Sequence, residues 1–234
     1  MAEKWGKVVV VIPALNEAEN IGDLVWETWM QPILRENDSI VVVDNGSTDD
    51  TAAVAAEAGA IVVGESRRGY GAACAAGVAV ASDADIIVFL DGDYSSLPVE
   101  IHRLLEPLQA GEADFVLGSR TRGTIEKGSM PPHQRFGNWL TSRLMQQLYR
   151  IDVTDLGPYR AISKEKLDAL GMKEMTFGWP TEMMVKAARQ QMRILEVPVS
   201  HHNRRAGKSK VSGTIRGSIL AAYYILGVTF RYAF

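Results

Sequence analysis

Three short apolar runs, each ending in an acidic turn, limit what this chain can fold into. Residues 8–12 (VVVVI) lead into PALNE at 13–17, residues 40–43 (IVVV) into DNGSTDD at 44–50, and residues 86–90 (IIVFL) into DGD at 91–93. A run that is apolar at every position has no solvent face, so it suits a strand covered on both sides of a parallel sheet. Helical patterns lie between these runs. Ile21, Leu24, Val25 and Thr28 fall at i, i+3, i+4 and i+7, one face of a helix. Ser47 or Thr48 is placed to cap a helix that ends near Gly59, and Asn16 with Glu19 to cap the preceding one. A third strand at 60–63 and a helix of small residues at 69–81 continue the alternation. Strand-helix alternation of this kind builds right-handed crossovers and a doubly wound sheet.

Beyond Asp93 the rhythm loosens. The sequence predicts a helix over 98–108, a strand at 115–117, and a long polar loop over 120–132. Helices follow at about 134–149 and 180–191, and a strand at 193–199. No repeat or linker interrupts the chain, so a single α/β domain is expected. A net charge of −3 argues against a nucleic-acid binder. One cysteine, Cys74, excludes an internal disulfide and reads as a small core residue. The N-terminus has no signal-peptide pattern and no run approaches the ~20 apolar residues of a spanning helix, so a cytoplasmic location is expected.

In an open α/β sheet, ligands bind outside the carboxyl ends of the strands. Each acidic turn alone is ordinary cap or turn chemistry; three reaching one sheet edge suggest a shared site. Asp91-Gly92-Asp93 offers two hard oxygen donors for Mg²⁺ or Mn²⁺, and its glycine lets a diphosphate approach the backbone. No GxxxxGK[ST] segment is present, and Gly69-Tyr70-Gly71 lacks the third glycine of a dinucleotide fingerprint. Cations cluster late: Arg120 at a strand end, Arg135 at a helix start where the dipole favours anions, and four Lys/Arg with two histidines and no acid from His201 to Lys210. Arg122 and Lys127 are read as solvated surface charges.

The ordered set PALNE, VVVDNGSTDDT, GYGAACAAG, FLDGDYS, GSR, an R-x-G-N helix and R-x-GKSKVS, spanning about residues 8–216, resembles family-2 glycosyltransferases of GT-A fold. It is most similar to their dolichyl- or polyprenyl-phosphate branch. The resemblance implies a nucleotide-sugar-binding half over 8–118, an acceptor half over 119–211 and a C-terminal helix over 212–234. It implies that Pro13, Ala14, Glu17 and Asp44, with Ser47 nearby, meet the base and ribose. Asp91 and Asp93, flanking Gly92, would hold the metal. Gly71 and the loop bearing Arg204, Arg205, Lys208 and Lys210 would serve the donor diphosphate. Ser119, Arg120 and Arg135 would bind an acceptor phosphate.

A phosphomonoester, with a second pKa of about 6, is already nucleophilic at neutral pH and needs arginines more than a base. A hydroxyl acceptor would need a base, for which Glu182 and Asp155 are the carboxylates in view. A soluble acceptor, a nucleotidyltransferase and a non-catalytic sugar-nucleotide binder are the competing readings. The last segment, 215–234, carries Ile219, Leu220, Tyr223, Tyr224, Leu226, Phe230 and Tyr232 between Arg216 and Arg231. Such a helix suits a membrane interface, the protein core or a contact between two copies of the chain.

Overall fold

The computed structural model describes residues 6–207 and 215–233. Seven strands form one sheet: β1 (Val8–Ala14), β2 (Ser39–Asp44), β3 (Ile61–Gly64), β4 (Ile86–Phe89), β5 (Phe115–Ser119), β6 (Arg160–Ser163) and β7 (Ile194–Pro198). Their order is β3-β2-β1-β4-β6-β5-β7. Every pairing is parallel except those of β6, which runs antiparallel to both β4 and β5. Among the described residues, eight α-helices accompany the sheet: α1 (Ala18–Trp29), α2 (Thr51–Glu57), α3 (Tyr70–Val80), α4 (Ile101–Gln109), α5 (Pro132–Tyr149), α6 (Lys164–Leu170), α7 (Trp179–Arg189) and α8 (Ile215–Arg231). This is the mostly parallel α/β architecture expected from the sequence.

The consecutive valines of β1 are explained by what covers each face. Val8, Val10 and Ile12 pack with Ile21, Leu24 and Leu104 of α1 and α4, whereas Val9 and Val11 pack with Ala73, Cys74 and Met183 of α3 and α7. Burying one such side chain contributes roughly 1.5–3 kcal/mol. A one-residue slip would exchange the two faces, so packing fixes the register. That register sets Ala14 beside Asp44, Asp44 beside Gly64, and Val11 beside Phe89. The three acidic turns therefore leave the same edge of the sheet.

Local details depart from the sequence reading. Neither Ser47 nor Thr48 caps α2, and Asn16 does not cap α1; both helices start without a side-chain cap. These residues join the two turns instead: the Asn16 amide donates to Ser47 Oγ at 2.9 Å, and the Thr48 amide to Asn16 Oδ1 at 2.8 Å. Helix α6, capped by Ser163, and strand β6 were not expected from the sequence. Four residues that include an arginine give no strand period to read.

That arginine is buried by design. Arg160 is 1% exposed and its guanidinium donates to the carbonyls of Leu156, Gly157 and Pro180, with the Phe115 ring 5.7 Å away. It ties the 155–158 turn and the start of α7 to the middle of the sheet. An Arg160→Met variant would fill similar volume but strand these carbonyls, and is expected to lose about 2–5 kcal/mol of stability. The check is a fall in the urea midpoint at unchanged slope.

Candidate functional site

At the carboxyl edge of β1, β2 and β4 lies a cavity of about 490 Å³. Pro13, Ala14 and Glu17 form one wall, Asn45 and the Arg68–Tyr70 segment another, and Asp91, Gly92 and Asp93 the floor. Thr176 and Phe177, with Leu220 and Tyr224 of α8, close the far side. Asn45 fixes the second wall: its Nδ2 donates to the Glu65 and Arg67 carbonyls and its Oδ1 accepts from the Gly69 amide at 2.9 Å.

Two glycines shape this wall, though not for the diphosphate contact expected of Gly71. Gly71 does not line the cavity; a Cβ there would stand 2.4 Å from the Glu174 carbonyl oxygen. Gly69, at φ +150°, would bring a Cβ within 2.2 Å of the Met175 oxygen. The missing side chains let the 174–176 segment cross the start of α3, where the Gly71 and Ala72 amides donate to the Thr176 and Met175 carbonyls. Those helix-end donors are thereby occupied.

The floor carries unbalanced negative charge. Asp91 Oδ1 accepts from Tyr70 Oη at 3.1 Å, and Asp93 Oδ1 from the Ser95 amide at 3.0 Å. Burial and then Asp93 push the Asp91 carboxyl up to about 7, against the opposing pull of Tyr70, Arg120 and Arg160. Tyr94, the next residue, sits at φ +64°, a left-handed conformation that an aromatic residue rarely adopts. Gly92 is buried beneath the Pro13 carbonyl.

The sequence reading set Arg204 and Arg205 together at the donor diphosphate and did not single out His201. Arg204, rather than Arg205, lines the cavity, pairing with Glu17 and lying 3.8 Å from Asp93. Arg205 turns away, stacking on Tyr94 at 3.8 Å and pairing with Asp23 at 2.8 Å. Adjacent residues in a loop face opposite ways, and the sequence carries no signal for which points inward. His201 lies outside the cavity lining, and its Nδ1 is buried without a hydrogen-bond partner among the described residues. Burial, then Arg120, lower its pKa against the pull of Asp93 and Asp155, so the ring is neutral and can ligate a metal. In the sequence its only signal was its place just past β7.

The remaining expectations divide. Glu17 lines the cavity, with Arg204 and Asn20 holding its carboxylate. Asp44 and Ser47 stand outside it; Asp44 Oδ1 accepts from the Ser47 amide at 2.9 Å. Ser119 is fully buried and its hydroxyl is engaged with Thr121 and Thr154, which removes it from contact with any acceptor. Arg120 grips Asp155 through Nε and Nη2, at 2.8 and 2.6 Å, and lines no described cavity. Arg135 opens onto a different cavity. Lys208 and Lys210 lie outside the described residues.

Neither carboxylate considered as a base is placed for it. Asp155 is 1% exposed, and although burial works against ionisation, Arg120 holds its carboxyl below the usual range. Glu182 is fully buried: Oε2 accepts from the Lys173 and Glu174 amides at 2.9 and 2.7 Å, and Oε1 from Lys186 and from Tyr232 Oη. It anchors the segment that supplies Thr176 and Phe177.

Two measurements follow from these environments. Asp91 has an ordinary value of 3.8 and holds its proton to about 7, so its contribution to stability is full below pH 4 and lost as pH rises through 7. In metal-free buffer at pH 8, Asp91→Asn is expected to melt above the parent chain, with the gap closing towards pH 4. Glu182→Gln keeps an acceptor for the loop amides, so kcat should fall by about tenfold or less while the donor KM rises. Loss of a true base would cost about 10²–10⁴ in rate.

Residues 9–171 match glycosyl transferase family 2. A protein of Mycobacterium tuberculosis named only as an uncharacterized glycosyltransferase is 39% identical over 214 residues, 92% of this chain and 94% of its own length. The undecaprenyl-phosphate mannosyltransferase of Micrococcus luteus is 27% identical across 97% of this chain and 96% of its own. Among solved structures, glucosyl-3-phosphoglycerate synthase from Mycobacterium tuberculosis, in complex with Mn²⁺, UDP and phosphoglyceric acid, shares the fold. Its TM-score is 0.75 at 23% identity, over 97% of this chain and 78% of that one. With the family matched over most of its length and a relative this similar end to end, the chain belongs to glycosyl transferase family 2.

Proposed function

We propose that this chain transfers a sugar from a nucleotide-diphosphate sugar, with the help of Mg²⁺ or Mn²⁺, to a phosphate-bearing acceptor of the polyprenyl-phosphate class. The observation that carries the phosphate acceptor is the state of the two candidate bases. Asp155 and Glu182 are both buried with their oxygens bonded. A hydroxyl nucleophile would find neither available, whereas a phosphate dianion needs no base.

Donor binding fits the cavity at the β1, β2 and β4 ends. Asp91 and Asp93 on its floor suit a divalent ion, and His201, outside the cavity lining but within electrostatic reach of Asp93, has an unpartnered ring nitrogen among the described residues. Among the described residues no three acidic, histidine or cysteine side chains are close enough to form a complete cage. That leaves room for diphosphate and water oxygens, as Mg²⁺ prefers. An ion held there would neutralise charge on the departing diphosphate. Arg204 stands over Asp93 as a further cation for that group, and Asn45 and Glu17, each held by its own partners, shape the walls beside the nucleotide.

A lipid acceptor is favoured by the surface beside the site. Phe136 and Trp139 of α5, and Leu220, Tyr223 and Phe230 of α8, are all more than 40% exposed. The two helices are joined where Tyr149 Oη donates to the Thr229 carbonyl. Exposed aromatic and aliphatic side chains among arginines suit the interfacial zone of a bilayer. No helix among the described residues is long and apolar enough to cross a membrane. The undecaprenyl-phosphate mannosyltransferase of similar length supports the same class, and the synthase crystallised with phosphoglyceric acid the alternative of a soluble phosphorylated acceptor.

The test is a panel of UDP-, GDP- and dTDP-sugars with Mn²⁺ or Mg²⁺, offered undecaprenyl phosphate or 3-phosphoglycerate. A glycolipid that forms only with metal, and is lost with EDTA and in Asp93→Asn, is the expected result. Full turnover in EDTA would end the metal role, and transfer to phosphoglycerate alone would end the lipid acceptor.

A further inference from the structure

Tyr94 follows directly on Asp93 and holds φ at +64°. For a bulky aromatic residue that conformation is strained, and it persists only where the surroundings over-determine it. It also bears on Asp93. The Asp93 carboxylate is held through Oδ1, which accepts from the Ser95 amide at 3.0 Å. Its Oδ2 makes no hydrogen bond among the described residues and lies 3.8 Å from Arg204. The peptide carrying the Ser95 amide begins at Tyr94, so the Tyr94 dihedrals set how the carboxylate is turned and where its free oxygen lies.

What holds Tyr94 comes from the segment after β7 and from α1. The ring is buried, and the Arg205 guanidinium stands 3.8 Å from its centroid, well inside the range of a cation–π contact. Arg205 in turn pairs with Asp23 at 2.8 Å and lies 3.8 Å from Glu27, one turn further along α1. Such exposed ion pairs add little stability of their own, but they fix where the guanidinium lies. The backbone on either side is tied as well. The His202 amide donates to the Ser95 carbonyl at 2.9 Å, and the Ala206 carbonyl accepts from Asn20 Nδ2 of α1 at 3.3 Å. Tyr94 Oη has no hydrogen-bond partner among the described residues, which leaves the face of the ring as the part of this side chain in use.

We infer that Arg205 and Tyr94 form a clamp that positions Asp93 for the divalent ion. Helix α1 holds Arg205, Arg205 holds the Tyr94 ring, and the left-handed Tyr94 leaves Asp93 Oδ2 free on the cavity floor. Both are positioning residues, and Arg205 thereby has a role other than contact with the donor diphosphate. The inference rests on the reading above, in which Asp93 is a metal ligand. Without the clamp the strained backbone at Tyr94 relaxes and the carboxylate turns with it. Mg²⁺ and its close relatives demand near-ideal ligand geometry, so that turn is felt as weaker binding of the ion.

Mn²⁺ binding to the whole chain in the presence of UDP or GDP, followed by calorimetry and by the electron paramagnetic resonance of free Mn²⁺, tests the clamp. Arg205→Ala and Tyr94→Leu, each shown folded by its melting curve, are expected to weaken Mn²⁺ by about tenfold or more. The double variant should lose no more than either alone, because both break one unit. Tyr94→Phe keeps the ring and should bind Mn²⁺ like the parent chain. Nucleotide binding in metal-free buffer should be unchanged in Arg205→Ala, which assigns the loss to the ion. If Tyr94→Leu does not fold, Arg205→Ala and Tyr94→Phe carry the test. Parent-like Mn²⁺ affinity in folded Arg205→Ala, additive losses in the double variant, or an equal loss in Tyr94→Phe overturns the clamp and leaves the transferase reading standing. So does an equal fall in metal-free nucleotide binding, which would return Arg205 to the diphosphate. A parent chain that binds no Mn²⁺ overturns both the clamp and the metal role.

Discussion

The register of β1 between β2 and β4 is the constraint on which the site depends. Each strand is buried on both faces, so its odd and even residues must satisfy two different cores. Such a strand cannot slide by one residue without misplacing every side chain. Fixing Val11 beside Phe89 and Ala14 beside Asp44 carries PALNE, DNGSTDD and DGD to one edge. The donor cavity is the space where these turns diverge. The antiparallel β6 then brings Arg160 under that edge, and the carbonyls it holds place the Asp155 turn and the start of α7 beside the DGD segment.

Charges in and around the site fall into two groups. In one, each ion has its partners: Arg120 with Asp155, Glu182 with two amides, Lys186 and Tyr232, and Glu17 with Arg204 and Asn20. A buried pair of this sort adds little net stability because desolvation offsets attraction, but breaking one is costly, so each holds a loop in place. In the other group, charge is left over. Asp91 has one hydroxyl donor for a half-buried carboxylate, while Arg135 and Arg143 line a cavity without a carboxylate among its lining residues. Unbalanced groups of one sign in a concave site are where ligands of the other sign bind.

Much of the fold was legible because its signals are local. Apolar runs, helical spacing and turn chemistry identified the strands of the first half, and the DGD segment stood out as a paired acid at a strand end. Strand β6 and helix α6 were missed because four residues around an arginine show neither period. The cap readings for Asn16 and Ser47 failed for a different reason. Their side chains had an equally short-range partner in the neighbouring turn, a contact that exists only once β1 and β2 are paired.

The sequence by itself determined which chemistry arrives at the sheet edge, because strand order in the chain and apolar period fix where each acidic turn emerges. Only the tertiary structure decided which charged residues are free to act. Arg204 and Arg205 are alike in sequence, yet one enters the donor cavity and the other stacks on Tyr94. Glu182 and Asp155 looked like bases until their partners, 4 to 50 and 35 residues away, were seen to occupy them. Arg122, read as a surface charge, is exposed as expected and also lines a cavity with two other arginines. Whether an ionisable group binds a ligand or holds a loop depends on its burial and its partners, and both are set by long-range contacts.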